Sequence, residues 1–267
     1  MEKLREQEIE EQKIEKQERK EILEVRDLHR SYFWGENEQT EVLKGLDFTI
    51  YEGEYVGIIG KSGCGKTTLL KVLGLIDLPT GGDILFKGRN SRDLWKDELS
   101  DIRRREIGFV FQDFYLMDSL TVEENIMLPM ILDKADPDKA SSIVEKLAGQ
   151  FGLSHLLKKN PYELSGGEKQ RVAICRALCN DPGVILADEP TGNLDAKSGD
   201  IVNKAMEDIN RDMNKTIILV THNPEMASYC SRILMLKDGA VKKELRKEGS
   251  REEFYRQIMD EISAGNL

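Results

Sequence analysis

No apolar run in this 267-residue chain is long enough to cross a bilayer; stretches such as residues 183–187 and 217–220 end after five and four residues. A membrane helix needs about 20. The opening residues Met1-Glu2-Lys3-Leu4-Arg5 also lack the apolar centre of a secretory signal. A basic excess is absent as well. The formal net charge is −10, which speaks against a broad nucleic-acid footprint, since that role calls for a basic face. Cysteine and histidine are scarce, at four and three residues. Cys64, Cys175, Cys179 and Cys230 show no zinc-type clustering. They read as small buried thiols of a reducing compartment, although Cys64 lies in a loop where oxidation would matter.

What is present is charge and a repeated alternation of short apolar segments with polar ones. Hydrophobic residues make up 39% and charged residues 33%, the balance of a globular chain of one or two domains. Residues 1–20 are a mixed run of Glu, Lys, Arg and Gln whose isolated Leu4, Ile9 and Ile14 make no continuous stripe. This stretch reads as a solvated helix or tail, with a partner-binding helix as the other reading. From Ile22 the texture changes. Residues 22–28, 41–50, 55–60, 83–87, 107–111, 183–187 and 216–220 read as strands, and 66–75 and 252–262 as helices. Residues 232–236 and 240–244, joined by Asp238-Gly239, read as a hairpin. The alternation predicts an α/β core with a mostly parallel sheet.

From about 114 to 180 the pattern turns almost wholly helical. Thr121 with Glu124 is a capping box, and Asp136-Pro137 is an N-cap followed by proline at the first helical position. This stretch is expected to be a helical insertion hung on the core.

Three motifs carry chemistry. Gly60-Lys61-Ser62-Gly63-Cys64-Gly65-Lys66-Thr67 follows a buried strand and opens a helix, the context of a phosphate-binding loop. Its glycines let backbone N–H groups face phosphate oxygens and the helix dipole adds positive charge. Lys66 neutralises the β- and γ-phosphates, the Thr67 hydroxyl can ligate Mg²⁺, and Thr68 follows in the same turn. The apolar segment 183–187 runs into Asp188 and Glu189. Asp188 is the candidate Mg²⁺ partner and Glu189 the candidate general base or water-orienter. Ser165-Gly166-Gly167-Glu168 reads two ways. Ser-x-x-Glu caps a helix by itself, yet two adjacent glycines weaken that helix and make sense where a phosphate must approach the backbone.

Taken together, these motifs resemble the ATP-binding subunit of an ABC transporter, and the resemblance covers nearly all of residues 22–241. It implies a P-loop NTPase fold with an antiparallel β subdomain and a helical subdomain at about 114–180. The divisions expected are a charged extension at 1–21, the ATPase domain at 22–245 and a helical tail at 246–267. By the same resemblance Lys66 and Thr67 belong to Walker A, Asp188 and Glu189 to Walker B, and Ser165, Gly166, Gly167 and Glu168 to the signature motif. Gln112 matches the Q-loop glutamine, a sensor of Mg²⁺ and γ-phosphate. Asn193-Leu194-Asp195 matches the D-loop, with Asn193 where alanine is common, and His222 matches the switch histidine. Tyr32 stands where the family stacks an aromatic ring on adenine, a place Phe33 or Trp34 could take. The wording from Leu186 to Asp195 is especially similar to the MacB, LolD and FtsE branch.

The resemblance implies two identical chains arranged head to tail, sandwiching ATP and Mg²⁺. A separate membrane permease is the implied partner, at the cytoplasmic face of the membrane. Export or extrusion of lipoprotein or peptide is the expected work. The alternative is an FtsE-like regulator of cell-wall hydrolases. A soluble ABC ATPase of DNA repair or translation fits less well, because this chain is acidic and has neither a long coiled coil between its motifs nor a second cassette.

Overall fold

In the computed structural model, residues 20–35, 38–265 and 267 are described. Residues 1–19 of the charged run, expected as a solvated helix or tail, lie outside them.

A six-stranded sheet organises the molecule. Its strands are β3 (Tyr55–Ile59), β6 (Ile107–Phe111), β7 (Val184–Asp188), β8 (Thr216–Thr221), β9 (Arg232–Lys237) and β10 (Ala240–Arg246), in the order β10-β9-β3-β8-β7-β6. All neighbours are parallel except β10, which folds back on β9 as the expected hairpin. A second, antiparallel sheet has the order β2-β1-β4-β5 and comprises β1 (Glu21–Trp34), β2 (Glu38–Tyr51), β4 (Gly81–Phe86) and the short β5 (Arg89–Asn90). The segments read as strands at 22–28, 41–50 and 83–87 thus belong to a sheet of their own, longer in β1 and β2 than their apolar stretches indicated.

Buried parallel strands lack hydrophobic alternation because both faces are covered. β3 and β8 are buried at every position, and successive side chains enter different cores. Tyr55, Ile59, Ile185, Ala187, Ile217 and Leu219 pack on one side with the helices α3 (Val122–Leu132), α4 (Pro137–Gln150), α5 (Gly166–Leu178) and α6 (Ala196–Met213). Val56, Ile58, Val184, Leu186, Ile218 and Val220 pack on the other, with the antiparallel sheet and the helices α1 (Lys66–Leu73) and α2 (Lys96–Arg105).

The helix starts follow local chemistry. Thr121 and Glu124 form the capping box of α3, and the Asp136 side chain accepts from Lys139 N at the start of α4. Between 114 and 180 the helices are α3, α4 and α5, with 3₁₀ turns at Ser154–Leu156 and Pro161–Glu163, whereas residues 114–121, expected to be helical, form a loop. Helix α1 ends at Leu73, two residues before the sequence pattern does, because Leu75 adopts φ 56°. Two further helices, α7 (Pro224–Ala227) and α8 (Arg251–Ser263), close the chain. Among the described residues, no helix is long and apolar enough to cross a membrane.

Candidate functional site

Strand register builds the site. Ile59 pairs with Thr221, Asp188 with Val220 and Phe111 with Asp188. Because these strands run parallel, the residues that follow them emerge along one sheet edge: Gly60 after β3, His222 after β8, Glu189 after β7 and Gln112 after β6. Ligands of open α/β sheets bind at such carboxyl ends. Here the edge opens into a cleft of about 780 Å³. Gly60, Lys61, Ser62, Gly63, Gly65, Lys66, Thr67 and Thr68 line it, together with Gln112, Asp188, Glu189 and His222.

The loop is shaped by glycine where nothing else fits. A Cβ on Gly60 would stand 2.4 Å from the Leu236 carbonyl, and Gly65 starts α1 from φ 106°. Lys66 is buried, and its Nζ donates to the Gly60 and Lys61 carbonyls at 2.8 and 3.0 Å. The ammonium is therefore held over its own loop. Cys64 does not line the cleft; its side chain is buried beneath the loop, and burial pushes its thiol pKa up.

The two acids at the end of β7 sit in different surroundings. Thr67 Oγ1 lies 3.5 Å from Asp188 Oδ1. Burial first, and the neighbouring Glu189 charge further down, raise the Asp188 pKa above its ordinary value, with the Thr67 hydrogen bond opposing. Glu189 takes a left-handed backbone at φ 46°. Its carboxylate accepts from Thr221 Oγ1 at 3.1 Å and meets His222 Nδ1 at 2.7 Å. Thr221 Oγ1 in turn accepts from Asn223 N at 3.0 Å. The Glu189 carboxylate on this left-handed backbone is thus held by two side chains, Thr221 and His222.

Besides Cys64, two groups of expected site residues lie apart from this cleft. Ser165, Gly166, Gly167 and Glu168 are not among its lining residues. The capping box is fully formed: Glu168 Oε2 accepts from Ser165 N and Oγ at 2.7 and 2.8 Å, which holds its pKa below the usual carboxylate range. Gly166 and Gly167 begin the helix. Tyr32 is also outside the lining; its hydroxyl donates to Asp77 at 2.9 Å, and the Arg30 guanidinium lies 4.6 Å from its ring centre. Phe33 beside it is exposed.

Other contacts were not foreseen from the motifs. Met259, Ile262 and Leu267 bring the C-terminal helix and tail to the cleft wall. Arg176 of α5 donates to the carbonyls of Phe114 and Tyr115, two non-glycine residues at φ 62° and 46° just after Gln112. Arg176 stands eleven residues, three helical turns, beyond Ser165. That spacing was the available signal for its face, but not for its target.

The ABC transporter family model matches residues 43–192, spanning the phosphate loop, Gln112, the Ser165 turn and both acids. The chain belongs to the ABC transporter family. It is similar to the bacitracin export ATP-binding protein BceA of Halalkalibacterium halodurans, with 43% identity over 89% of this chain and 94% of that protein. It is also 43% identical to the lipoprotein-releasing system ATP-binding protein LolD 1 of Rhodopseudomonas palustris, over 82% of this chain and 98% of the relative. Among solved structures it resembles the dimeric post-hydrolysis state of the ATP-binding cassette MJ0796 bound to ADP and Pi. That match has a TM-score of 0.79 and 38% identity, and covers 86% of this chain and all of the other. This chain is thus an ATP-hydrolysing ABC cassette of the MacB/LolD-like branch.

Proposed function

We propose that this ABC cassette works as a head-to-tail pair at the cytoplasmic face of the membrane, driving a separate permease that exports or extrudes a peptide or lipoprotein. One observation carries the paired arrangement. The cleft gathers phosphate loop, acids, Gln112 and His222, while the donor-rich Ser165-Gly166-Gly167 turn of the same chain does not line it. A second copy supplies that turn. The dimeric ADP-bound relative supports this arrangement, and the bacitracin-export and lipoprotein-release names of the relatives support the cargo class.

The roles follow from position. Lys66 and the loop N–H groups from Gly60 to Thr68 hold the β- and γ-phosphates. Glu189, fixed by Thr221 and His222, orients a water for in-line attack and takes its proton. His222 holds Glu189 and lies at the γ-phosphate end of the cleft. Ser165, Gly166 and Gly167 of the second copy close over the γ-phosphate, so negative charge developing there meets donors on both sides. Glu168 acts within its own chain by fixing that turn.

The hydroxyl of Thr67, the carboxylate of Asp188 and the amide oxygen of Gln112 form an all-oxygen donor set suited to a hard cation. The burial-raised Asp188 carboxylate gains from a positive neighbour, so the residues fit Mg²⁺. Held there, Mg²⁺ would supply positive charge that offsets the negative charge of the phosphates.

The permease would meet the surface beside α2. Arg103 ties α2 to the Leu75 carbonyl at 2.7 Å, and Arg104 and Arg105 tie it to Asp133 at 2.8 Å each. Exposed Ile76, Leu78, Ile131 and Leu132 lie next to these anchor points, and exposed Tyr115 and Met117 follow Gln112. Apolar side chains grouped in this way favour a partner over water.

The test combines three variants. Glu189→Gln should bind ATP, hydrolyse it very slowly and migrate as a dimer in size-exclusion chromatography with light scattering. Ser165→Arg and Lys66→Ala should each be inactive alone, and mixing them should restore some turnover at hybrid sites. Full activity in Ser165→Arg, or a Glu189→Gln protein that stays monomeric with ATP, would overturn the paired mechanism.

A further inference from the structure

We propose that Asn193 is a positioning residue that sets which end of the Gln112 amide faces the phosphate cleft; the inference rests on the nucleotide-site reading above. Three hydrogen bonds join the two residues and their neighbour. Asn193 Nδ2 donates to the Gln112 carbonyl at 3.2 Å and to Asp113 Oδ1 at 3.0 Å. Gln112 Nε2 donates to Asn193 Oδ1 at 3.0 Å.

The chemistry of these partners fixes the order of donors. The Gln112 carbonyl and the Asp113 carboxylate only accept, so they must be met by the Asn193 NH₂. That choice turns Asn193 Oδ1 toward Gln112. An oxygen there selects the NH₂ end of the Gln112 side chain, which leaves the Gln112 oxygen as the free end. Gln112 lines the cleft with Thr67 and Asp188, and a hard cation beside them takes oxygen, not an amide nitrogen. Gly192 completes the cradle: a Cβ there would stand 2.9 Å from both Cδ and Nε2 of Gln112. A side chain at 192 would therefore push the Gln112 amide out of this position. An alanine at 193 could neither donate nor accept, and Gln112 would be free to present either end.

The experiment titrates Mn²⁺ by electron paramagnetic resonance into ATP-loaded protein carrying Glu189→Gln, so that no turnover contributes. Asn193→Ala should weaken Mn²⁺ binding about 3- to 10-fold, the size of one modest hydrogen-bond effect. Gln112→Ala should weaken it at least as much, and adding Asn193→Ala to Gln112→Ala should change nothing further. Unchanged Mn²⁺ affinity in Asn193→Ala or in Gln112→Ala would overturn the proposal. So would an equal further loss in the double variant, because Asn193 would then act without Gln112. A fluorescent ATP analogue that fails to bind even the Glu189→Gln parent would overturn the nucleotide-site reading itself, and this inference with it.

Discussion

Thr221 is the residue whose loss best probes how Glu189 is held. It is 1% exposed, at the end of β8, and its hydroxyl donates to Glu189 Oε2 at 3.1 Å while accepting from Asn223 N at 3.0 Å. Thr221→Val keeps the branched shape and removes both interactions. A hydrogen bond to a charged group contributes about 1.5–3 kcal/mol, and about 1.4 kcal/mol corresponds to tenfold in rate. The full range would be about 10- to 150-fold in kcat. Glu189 retains His222 at 2.7 Å, and its side chain is 12% exposed, so water can replace part of the loss. The expected fall is therefore toward the low end, about tenfold. The KM for ATP should stay within about twofold, because an interaction that orients the attacking water adds little to ground-state binding. Thr221→Ser should recover most of the rate, since it restores the hydroxyl without the methyl. The assay is steady-state phosphate release over a range of ATP concentrations, with thermal melts of each variant as the folding control. A Val variant with wild-type kcat, or Ser and Val variants that fall equally, would refute the reasoning.

Asp188→Asn should raise the melting temperature of nucleotide-free protein at neutral pH while abolishing hydrolysis. Folding raises the Asp188 pKa above its ordinary 3.8, so the charged carboxylate destabilises the fold at pH values above the raised pKa. The gain from Asn should shrink as pH falls through that value and vanish below the ordinary one; a pH series of melts checks it, and a gain that persists at pH 3 would contradict it. Arg232→Met should cost about 3–5 kcal/mol, because it strands a buried carboxylate: the guanidinium pairs with Glu54 at 2.9 Å and also donates to the Thr49 carbonyl at 2.6 Å. Urea unfolding measures the loss, and nucleotide affinity should be unchanged because neither residue lines the cleft.

The parts most legible in the sequence are those whose chemistry is local. The loop from Gly60 to Thr67 and the apolar strand ending in Asp188-Glu189 each complete their pattern within a few neighbours, so spacing alone places strand, turn and helix. The caps at Thr121, Asp136 and Ser165 are legible for the same reason: donor and acceptor are three residues apart. The antiparallel sheet was less legible. β1 and β2 extend through polar residues such as Arg30, Ser31, Gln39 and Thr40, which pair through their backbones and leave no apolar signature. The motif at Ser165 shows the opposite difficulty. Its capping geometry is satisfied within the chain, with Gly166 half-buried and Gly167 buried, so helix initiation accounts locally for the same residues that a nucleotide site would use.

By itself, the sequence determined that a glycine-rich loop opens a helix after one apolar strand, that two acids end another, and that parallel strands carry them. Each of these is a property of a short contiguous stretch. Tertiary structure decided which side chains finish the site. The register of β8 against β3 and β7 brings Thr221 and His222 to Glu189, more than thirty residues away in the chain. The turn after β7 brings Asn193 onto Gln112 across 81 positions, and the C-terminal helix reaches the cleft wall from the far end of the chain. Such contacts depend on how separate elements stack on a common core, and no local pattern records that stacking.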